Sequence, residues 1–219
     1  MKLAILMAVV LLAGCATESR EAVMERMTLA PSVALLINDD TYGSGTVVKV
    51  TEEGAYILTN YHVISNAKSI IVQFYHRRGE EFKAEVYSSE PTKDIAVIFA
   101  PHMCSYVATL GSPDDVRLFR ESICIGSSSG YPLAPSRGII TQIDFDRHGQ
   151  LMYRSDCNIT FGNSGGGLFV EVGREWRLVG MPTAVHSHSF FGNRAPVPFL
   201  GFMVTINDIL EHFANNPML

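Results

Sequence analysis

One serine hydroxyl stands in a glycine-rich pentapeptide, Gly162-Asn163-Ser164-Gly165-Gly166, a loop that is nearly free of other side chains. A serine hydroxyl is hardly ionised at neutral pH, so it becomes a nucleophile only beside a base, and histidine is suited to that task. His62 and Asp94 precede the serine along the chain, each in a distinctive segment. The order His, Asp, Ser is one of the known orders of the hydrolytic triad. The three residue types therefore predict acyl-transfer chemistry.

Each member of this predicted triad has a role set by its chemistry. Ser164 attacks a carbonyl carbon, His62 takes and returns the proton, and Asp94 orients the imidazole. The negative oxygen that develops needs preorganised donors, and we assign them to the backbone amides of Gly162 and Ser164. Taken singly, these residues indicate a turn, a solvated histidine and a strand-start cap, but together they favour catalysis. Asp94 is preferred over other aspartates because it introduces a strongly apolar segment.

The elements that must position these side chains are short strands separated by turn residues. In one of them Ile70, Val72 and Phe74 alternate with other residues and fall on one face. The residues that follow Asp94 are continuously apolar, which is typical of a strand buried on both sides. Many short strands at this spacing predict a sandwich or barrel. The β-rich segments are Tyr56 to Thr59, Ser69 to Tyr75, Phe82 to Tyr87 and Asp94 to Ala100.

Helical signals lie only near the two ends of the chain. Residues 19–27 predict a short polar helix. A final helix is predicted to begin with Asn207 or Asp208 as its cap, with Ile209, Leu210 and Phe213 packed inward. The region around Pro113 is the predicted joint between two halves of the chain.

The first residues predict a targeting segment rather than part of the fold. The apolar run from Leu3 to Ala13 is too short to span a bilayer as a helix. It ends in Leu12-Ala13-Gly14-Cys15, which resembles the lipobox of bacterial lipoproteins. That resemblance implies a signal peptide over residues 1–14, acylation of Cys15 and anchoring to a membrane. Ala16, directly after the cysteine, favours anchoring to the outer membrane, facing the periplasm, over the inner membrane. The alternative to the whole lipoprotein interpretation is an ordinary secretory signal in which Cys15 is not acylated.

Composition narrows the remaining function classes. The formal net charge of −5 comes with no basic run, so nucleic acid is not an expected partner. Hydrophobic residues make up 47% of the chain and charged residues 18%, which predicts a substantial core. Cysteines 104, 124 and 157 are odd in number, so at least one stays unpaired within the chain. A bond between Cys104 and Cys124 stays open, whereas Cys124 and Cys157 are predicted to be buried thiols.

His186 and His188 could lie on one face of a strand and contribute to a zinc site. No Cys-x-x-Cys or His-Glu-x-x-His pattern accompanies them, so we expect a polar loop beside the cleft. Neither a metal nor a cofactor is predicted.

Several segments together resemble the trypsin-fold serine proteases and, among them, the bacterial high-temperature-requirement (HtrA) branch. These segments are Gly43 to Val48, Ile57 to Ile64, Lys93 to Ile98, Leu110 to Ser112, Gly138 to Ile140, Gly162 to Gly166 and Gly201 to Val204. The resemblance implies an all-β fold of two antiparallel six-stranded barrels with a short C-terminal helix. It also implies a tether over residues 15–30 and a protease domain over 31–219. The barrels would cover about 31–110 and about 118–207, and the helix 208–215.

The same resemblance implies a substrate pocket formed by Asn158, Phe161, Thr183, Ala184 and Gly201. Asn158 at its base is not acidic, so we expect small or medium apolar side chains to be preferred over Arg or Lys. The sequence departs from the family at Gly167, where a proline is usual. No segment resembles the peptide-binding PDZ domain, so the family's usual mode of substrate capture is not expected.

The leading hypothesis is therefore a serine endopeptidase that acts on polypeptides through an acyl-enzyme and is lipid-anchored in the bacterial cell envelope. The alternative is a catalytically silent trypsin-fold lipoprotein that serves as a binding or chaperone-like module. The sequence leaves the oligomeric state open.

Overall fold

The computed structural model describes residues 33–38, 41–77, 79–102, 104–128, 135–146, 148–190 and 193–217. Within these ranges the chain forms two closed barrels, each of six antiparallel strands, followed by a short helix. The predicted fold class is confirmed. The predicted signal peptide, tether and polar lead-in helix lie outside the described residues.

The first barrel contains the strands β1 to β6. Their bounds are β1 Val33–Asn38, β2 Thr41–Val50, β3 Ala55–Thr59, β4 Ile70–Phe74, β5 Phe82–Glu90 and β6 Ile95–Ala100. They pair in the order β1-β2-β3-β6-β5-β4, and β4 closes the barrel on β1. Alternation in β4 is confirmed, because Ile70, Val72 and Phe74 are buried whereas the residues between them are not.

The second barrel contains the strands β7 to β12. Their bounds are β7 Glu121–Ile125, β8 Ser136–Phe145, β9 Leu151–Ser155, β10 Gly167–Val172, β11 Glu175–Phe190 and β12 Asn193–Thr205. They pair in the order β10-β11-β12-β9-β8-β7, and β7 closes the barrel on β10. The expected polar loop at residues 186–188 is wrong, because their backbone pairs with residues 195–197 in a long β11–β12 hairpin.

Strands β3 and β6 pair with each other and are buried on both faces. Ile57 and Ile98 face the interior of the first barrel. Leu58 and Val97 instead pack in the cluster that forms the core of the second barrel. This double burial accounts for the continuous apolar run of β6, because neither face of the strand meets water. The ends of β3 and β6 consequently lie at the junction of the two barrels.

The C-terminal helix α2 covers Ile206–Ala214, after the short helix α1 over Tyr61–Ile64. Its cap was predicted wrongly as Asn207 or Asp208. Thr205 is the N-cap, and its hydroxyl oxygen accepts from the amide of Asp208 at 3.3 Å. The cap comes earlier because the helix begins directly where β12 ends.

Helix α2 reaches back to the first barrel through polar contacts. The Lys93 ammonium lies 2.7 Å from Glu211 Oε2 and 3.2 Å from Asp208 Oδ1. The Ser88 hydroxyl and His212 Nε2 are 2.9 Å apart. The helix thus ties the end of the second barrel to the segment directly before Asp94.

The three described cysteines are buried and unpaired, so the bond considered between Cys104 and Cys124 is absent from this structure. Cys124 and Cys157 are small buried thiols, as predicted. Burial raises the pKa of the Cys124 thiol well above its ordinary value, which makes it a poor nucleophile.

Two histidines pack among aromatic rings at one end of the first barrel. The His102 ring stacks on Phe82 with centroids 3.9 Å apart, and His76 lies 5.3 Å from the Tyr106 ring. His76 Nδ1 and His102 Nε2 are buried without a hydrogen-bond partner among the described residues. Burial lowers the pKa of both histidines, and the neighbouring cation Arg77 lowers both further whereas Glu80 opposes the shift.

Candidate active site

His62 and Asp94 meet at the junction of the barrels, one just after β3 and the other just before β6. His62 Nδ1 lies 2.8 Å from Asp94 Oδ2, and the His62 amide donates to Asp94 Oδ1 at 2.9 Å. A carboxylate only accepts, so Nδ1 carries the proton and Nε2 keeps a lone pair in the neutral imidazole. The Asp94 side chain is 26% exposed and that of His62 is 49% exposed. The imidazole is therefore oriented by the carboxylate and open to a substrate.

The backbone of Asp94 is in the left-handed region, with φ 55° and ψ 40°. An L-residue pays a steric cost there that aspartate tolerates better than most. The Asp94 carbonyl accepts from the Asn60 side chain at 3.0 Å and from the Tyr61 amide at 3.2 Å. These bonds hold the turn that aims the carboxylate at His62. The sequence had suggested that Asp94 begins the strand. In the structure it lies directly before the strand, in the turn.

Ser164 lies in a loop that its neighbours hold firmly. Asn163 is 1% exposed, and its side-chain oxygen accepts from the Thr160 amide at 3.0 Å. Gly165 has a φ of 84°, and a Cβ there would lie 2.1 Å from the Ser44 carbonyl oxygen. Glycine at 165 is thus required by both conformation and space.

Thr183 of β11 connects the serine with the aspartate. Its hydroxyl donates to Asp94 Oδ2, and its carbonyl accepts from the Ser164 hydroxyl at 3.4 Å. Ser164 and Asp94 therefore both contact Thr183, and Asp94 also contacts His62. The sequence had assigned Thr183 only to a substrate pocket.

The residues of the predicted oxyanion hole lie in the turn before and at the serine. Gly162 has a φ of 92°, a backbone conformation that glycine adopts without strain. Within the described part of the chain, the amides of Gly162 and Ser164 donate to no other group. Both are therefore free to donate to a bound oxygen.

The other residues predicted for the pocket differ in their surroundings. Phe161 is 72% exposed, and Ala184 is also exposed. Asn158 is exposed, and its carbonyl accepts from the Ser136 hydroxyl at 3.0 Å. Gly201 is buried, and a Cβ there would lie 2.3 Å from Ile159 Cδ1. Ile159 is 2% exposed and belongs to the core cluster of the second barrel, so it packs beneath Gly201.

Sequence reasoning did not select Ser44, which lies beside the serine loop. Ser44 is fully buried and contacts the serine loop from the first barrel. Its segment, Gly43 to Val48, contributed to the family resemblance but indicated no role for the Ser44 side chain. The described residues include no cluster of three metal-ligating side chains. They also contain no helix long and apolar enough to cross a bilayer.

Comparison with known proteins gives a family match over the segment that carries this site. Residues 43–181 match the family described as the trypsin-like peptidase domain.

Curated relatives are similar over part of their length. The magnetosome formation protease MamE of Paramagnetospirillum magneticum is 34% identical over 151 residues, which are 65% of this chain and 20% of that protein. A probable periplasmic serine endoprotease of the DegP-like type from Pseudomonas fluorescens is 30% identical over 161 residues. That match covers 71% of this chain and 32% of the relative. The chain thus spans a third or less of these relatives.

Solved structures are similar over most of this chain. The HtrA-type protease AlgW with a tripeptide superposes with a TM-score of 0.73 at 30% identity, over 88% of this chain and 62% of that one. A serine endoprotease from Yersinia pestis gives a TM-score of 0.68 at 25% identity, over 90% of this chain and 66% of that one.

Proposed function

Because the chain belongs to the trypsin-like peptidase family, we propose that it is a serine endopeptidase with Ser164, His62 and Asp94 as its catalytic triad. The observation that carries the proposal is the set of bonds from Asp94. Its carboxylate accepts from His62 and from Thr183, and Thr183 also accepts from Ser164. One carboxylate and one strand residue thereby join the base and the nucleophile.

Acylation begins when the Ser164 hydroxyl turns from the Thr183 carbonyl toward Nε2 of His62. The bond it gives up is 3.4 Å long, near the limit for a hydrogen bond, so the loss costs little. The Ser164 oxygen attacks the substrate carbonyl carbon while its proton passes to Nε2 of His62. Asp94 stabilises the resulting imidazolium through Nδ1. The negative oxygen accepts from the amides of Gly162 and Ser164.

His62 then gives its proton to the leaving amine, the peptide C–N bond breaks, and the acyl group stays on Ser164. Water takes the place of the amine and loses a proton to His62. Its oxygen attacks the ester, and Ser164 leaves with the proton that His62 returns. The complete reaction consumes one water molecule and releases a carboxylic acid and an amine, and it needs no cofactor.

The experiment is labelling by a fluorophosphonate, which forms a P–O bond to an activated serine and releases fluoride. We expect labelling of the protein and none of Ser164→Ala. Ser105→Ala removes an exposed serine that lies outside the site, so it should label like the parent. A parent that stays unlabelled, or a labelled Ser164→Ala variant, would contradict the proposal and favour a silent binding or chaperone-like module.

The substrates are proposed to be polypeptides with small or medium apolar side chains at the cleaved bond. Support comes from the side chain of Asn158, which is not acidic and would not attract the cation of Arg or Lys. Digestion of a peptide library checks this preference. Strong selection of Arg or Lys at the cleaved bond would contradict it.

We further propose that the protein is held in the bacterial envelope by lipid on Cys15, on an outer membrane that faces the periplasm. The lipobox-like segment before Cys15 supports this, as does the word periplasmic in the name of the Pseudomonas relative. Mass spectrometry of the mature N-terminus should find an acylated Cys15. The Cys15→Ser variant should leave the membrane fraction, and an unmodified N-terminus on the parent would refute the anchor.

A further inference from the structure

Ser44 of β2 is fully buried where the first barrel meets the nucleophile loop of the second. Its hydroxyl donates to the Gly162 carbonyl at 2.6 Å and accepts from the Ser127 amide at 2.7 Å. Its own amide donates to the Ser164 carbonyl at 2.8 Å. Its carbonyl accepts from the Thr59 hydroxyl at 2.8 Å, which fixes Ser44 within the first barrel. One residue of the first barrel therefore bonds to the serine loop twice.

The two carbonyls that Ser44 holds belong to residues on either side of Asn163 in that loop. The Gly162 carbonyl lies in the peptide unit before the one that carries the Ser164 amide, and the Ser164 carbonyl lies in the unit after it. Peptide units are planar, so fixing the outer two restricts the rotation of the one between them. The Gly166 amide donates to the Asn163 carbonyl at 2.9 Å and holds the middle unit directly, and Ser44 fixes the units on either side of it.

Gly162 makes this external control necessary. With a φ of 92° it has no Cβ to restrict its backbone, so the peptide units on either side can rotate at small cost. The bond from the Ser44 hydroxyl is the contact that holds the Gly162 carbonyl in place. Without it, the peptide units on either side of Gly162 would be free to rotate, and the Gly162 amide could turn away from the point at which the Ser164 amide is directed.

We propose that Ser44 is a positioning residue that preorganises the oxyanion hole from the opposite barrel, an inference that rests on the proposed peptidase function. Ser44 does not touch the substrate. It acts by holding the Gly162 and Ser164 amides convergent before the negative oxygen forms. Such preorganisation stabilises the transition state more than the bound substrate, so its loss lowers kcat and leaves KM nearly unchanged.

Ser44→Ala removes one oxygen atom and tests the proposal. We expect kcat for a fluorogenic peptide chosen from the library, and the rate of fluorophosphonate labelling, to fall about 10–100-fold. That is less than the roughly 10²–10³-fold loss typical when an oxyanion donor is removed outright, because the amides themselves remain. KM should change by no more than about twofold. Ser44→Cys keeps the shape with a weaker donor and should fall between the parent and the alanine variant.

The matched control is Ser122→Ala. Ser122 is also fully buried, and its hydroxyl lies 3.3 Å from the Ser155 hydroxyl inside the second barrel. Both alanine variants should melt at lower temperature than the parent, but only Ser44→Ala should lose kcat. A Ser44→Ala protein that is folded and keeps its kcat within twofold overturns the proposal, as does an equal loss of kcat in Ser122→Ala. If Ser44→Ala does not fold, a Ser44→Cys variant with unchanged kcat overturns it.

Failure of the peptidase function has a different signature. It appears as a parent protein that does not label, or as labelling that survives Ser164→Ala. If only the proposed role of Ser44 is wrong, the parent is still labelled at Ser164, and the Ser44 variants react with the fluorophosphonate as fast as the parent does.

Discussion

Replacement of Thr183 by valine tests the link between the two halves of the proposed triad. Valine has nearly the same shape as threonine and lacks the hydroxyl that donates to Asp94 Oδ2. The Thr183 carbonyl, which accepts from Ser164, belongs to the backbone and remains. The substitution therefore removes one contact to the carboxylate and leaves the strand in place.

The size of the effect follows from what Asp94 keeps. A hydrogen bond to a charged group contributes about 1.5–3 kcal/mol. Two bonds from His62 remain on the carboxylate, and Asp94 is 26% exposed, so water can replace part of the loss. We therefore expect a loss near the lower limit, about 1.4 kcal/mol in transition-state stabilisation, which is a tenfold fall in kcat/KM.

The assay is steady-state hydrolysis of a peptide chosen from the library, together with the rate of fluorophosphonate labelling. The control is Thr183→Ser, which keeps the hydroxyl and should stay within about threefold of the parent. Parental activity in Thr183→Val would refute the reasoning. An equal loss in Thr183→Ser, which keeps the hydroxyl, would show that the bond to Asp94 is not what separates the two variants.

Two further predictions concern stability. Lys93→Met breaks the ion pair with Glu211 and should lower the free energy of unfolding by about 1 kcal/mol, which is roughly 2–4 °C in Tm. Glu211→Gln should destabilise the Lys93→Met variant less than it destabilises the parent, because the ion pair is already lost. Full additivity in the melting curves would contradict the coupling. The pKa of His76 and of His102 is lowered by burial, so the folded state favours the neutral rings. The free energy of unfolding therefore receives the full benefit of the neutral rings above about pH 6.5. It declines as the pH falls below that value, because the unfolded chain then binds protons more readily than the folded one. Tm measured from pH 7.5 to 5 should fall less in a His76→Phe/His102→Phe variant, and equal declines would contradict this prediction.

Sequence reasoning succeeded where the information is local. Alternation in β4 and the apolar run of β6 report burial directly, since period and composition follow from which faces meet water. Asp94 was selected because a buried strand follows it, and the structure pairs it with His62. The fold class followed from resemblance to a known family.

The contacts that were missed join residues far apart in the chain. Thr183 lies 89 residues from Asp94, and Ser44 lies 118 residues from Gly162. Threonine in a strand and serine between glycines have ordinary local explanations, so nothing nearby in the sequence indicates the bonds that Thr183 and Ser44 make. The prediction of the N-cap of α2 was wrong for a different reason. Thr205, Asn207 and Asp208 are all good caps, and the end of β12 decides among them.

The two barrels share the parts of the site in a way that couples packing to chemistry. The first supplies His62 and Asp94, and the second supplies Ser164. Leu58 and Val97, on the strands next to His62 and Asp94, pack in the core cluster of the second barrel. A shift between the barrels would therefore have to disturb a close-packed interior, which resists small displacements. The positions that the proposed proton transfer between Ser164 and His62 requires are thus held by the same apolar surface that joins the barrels.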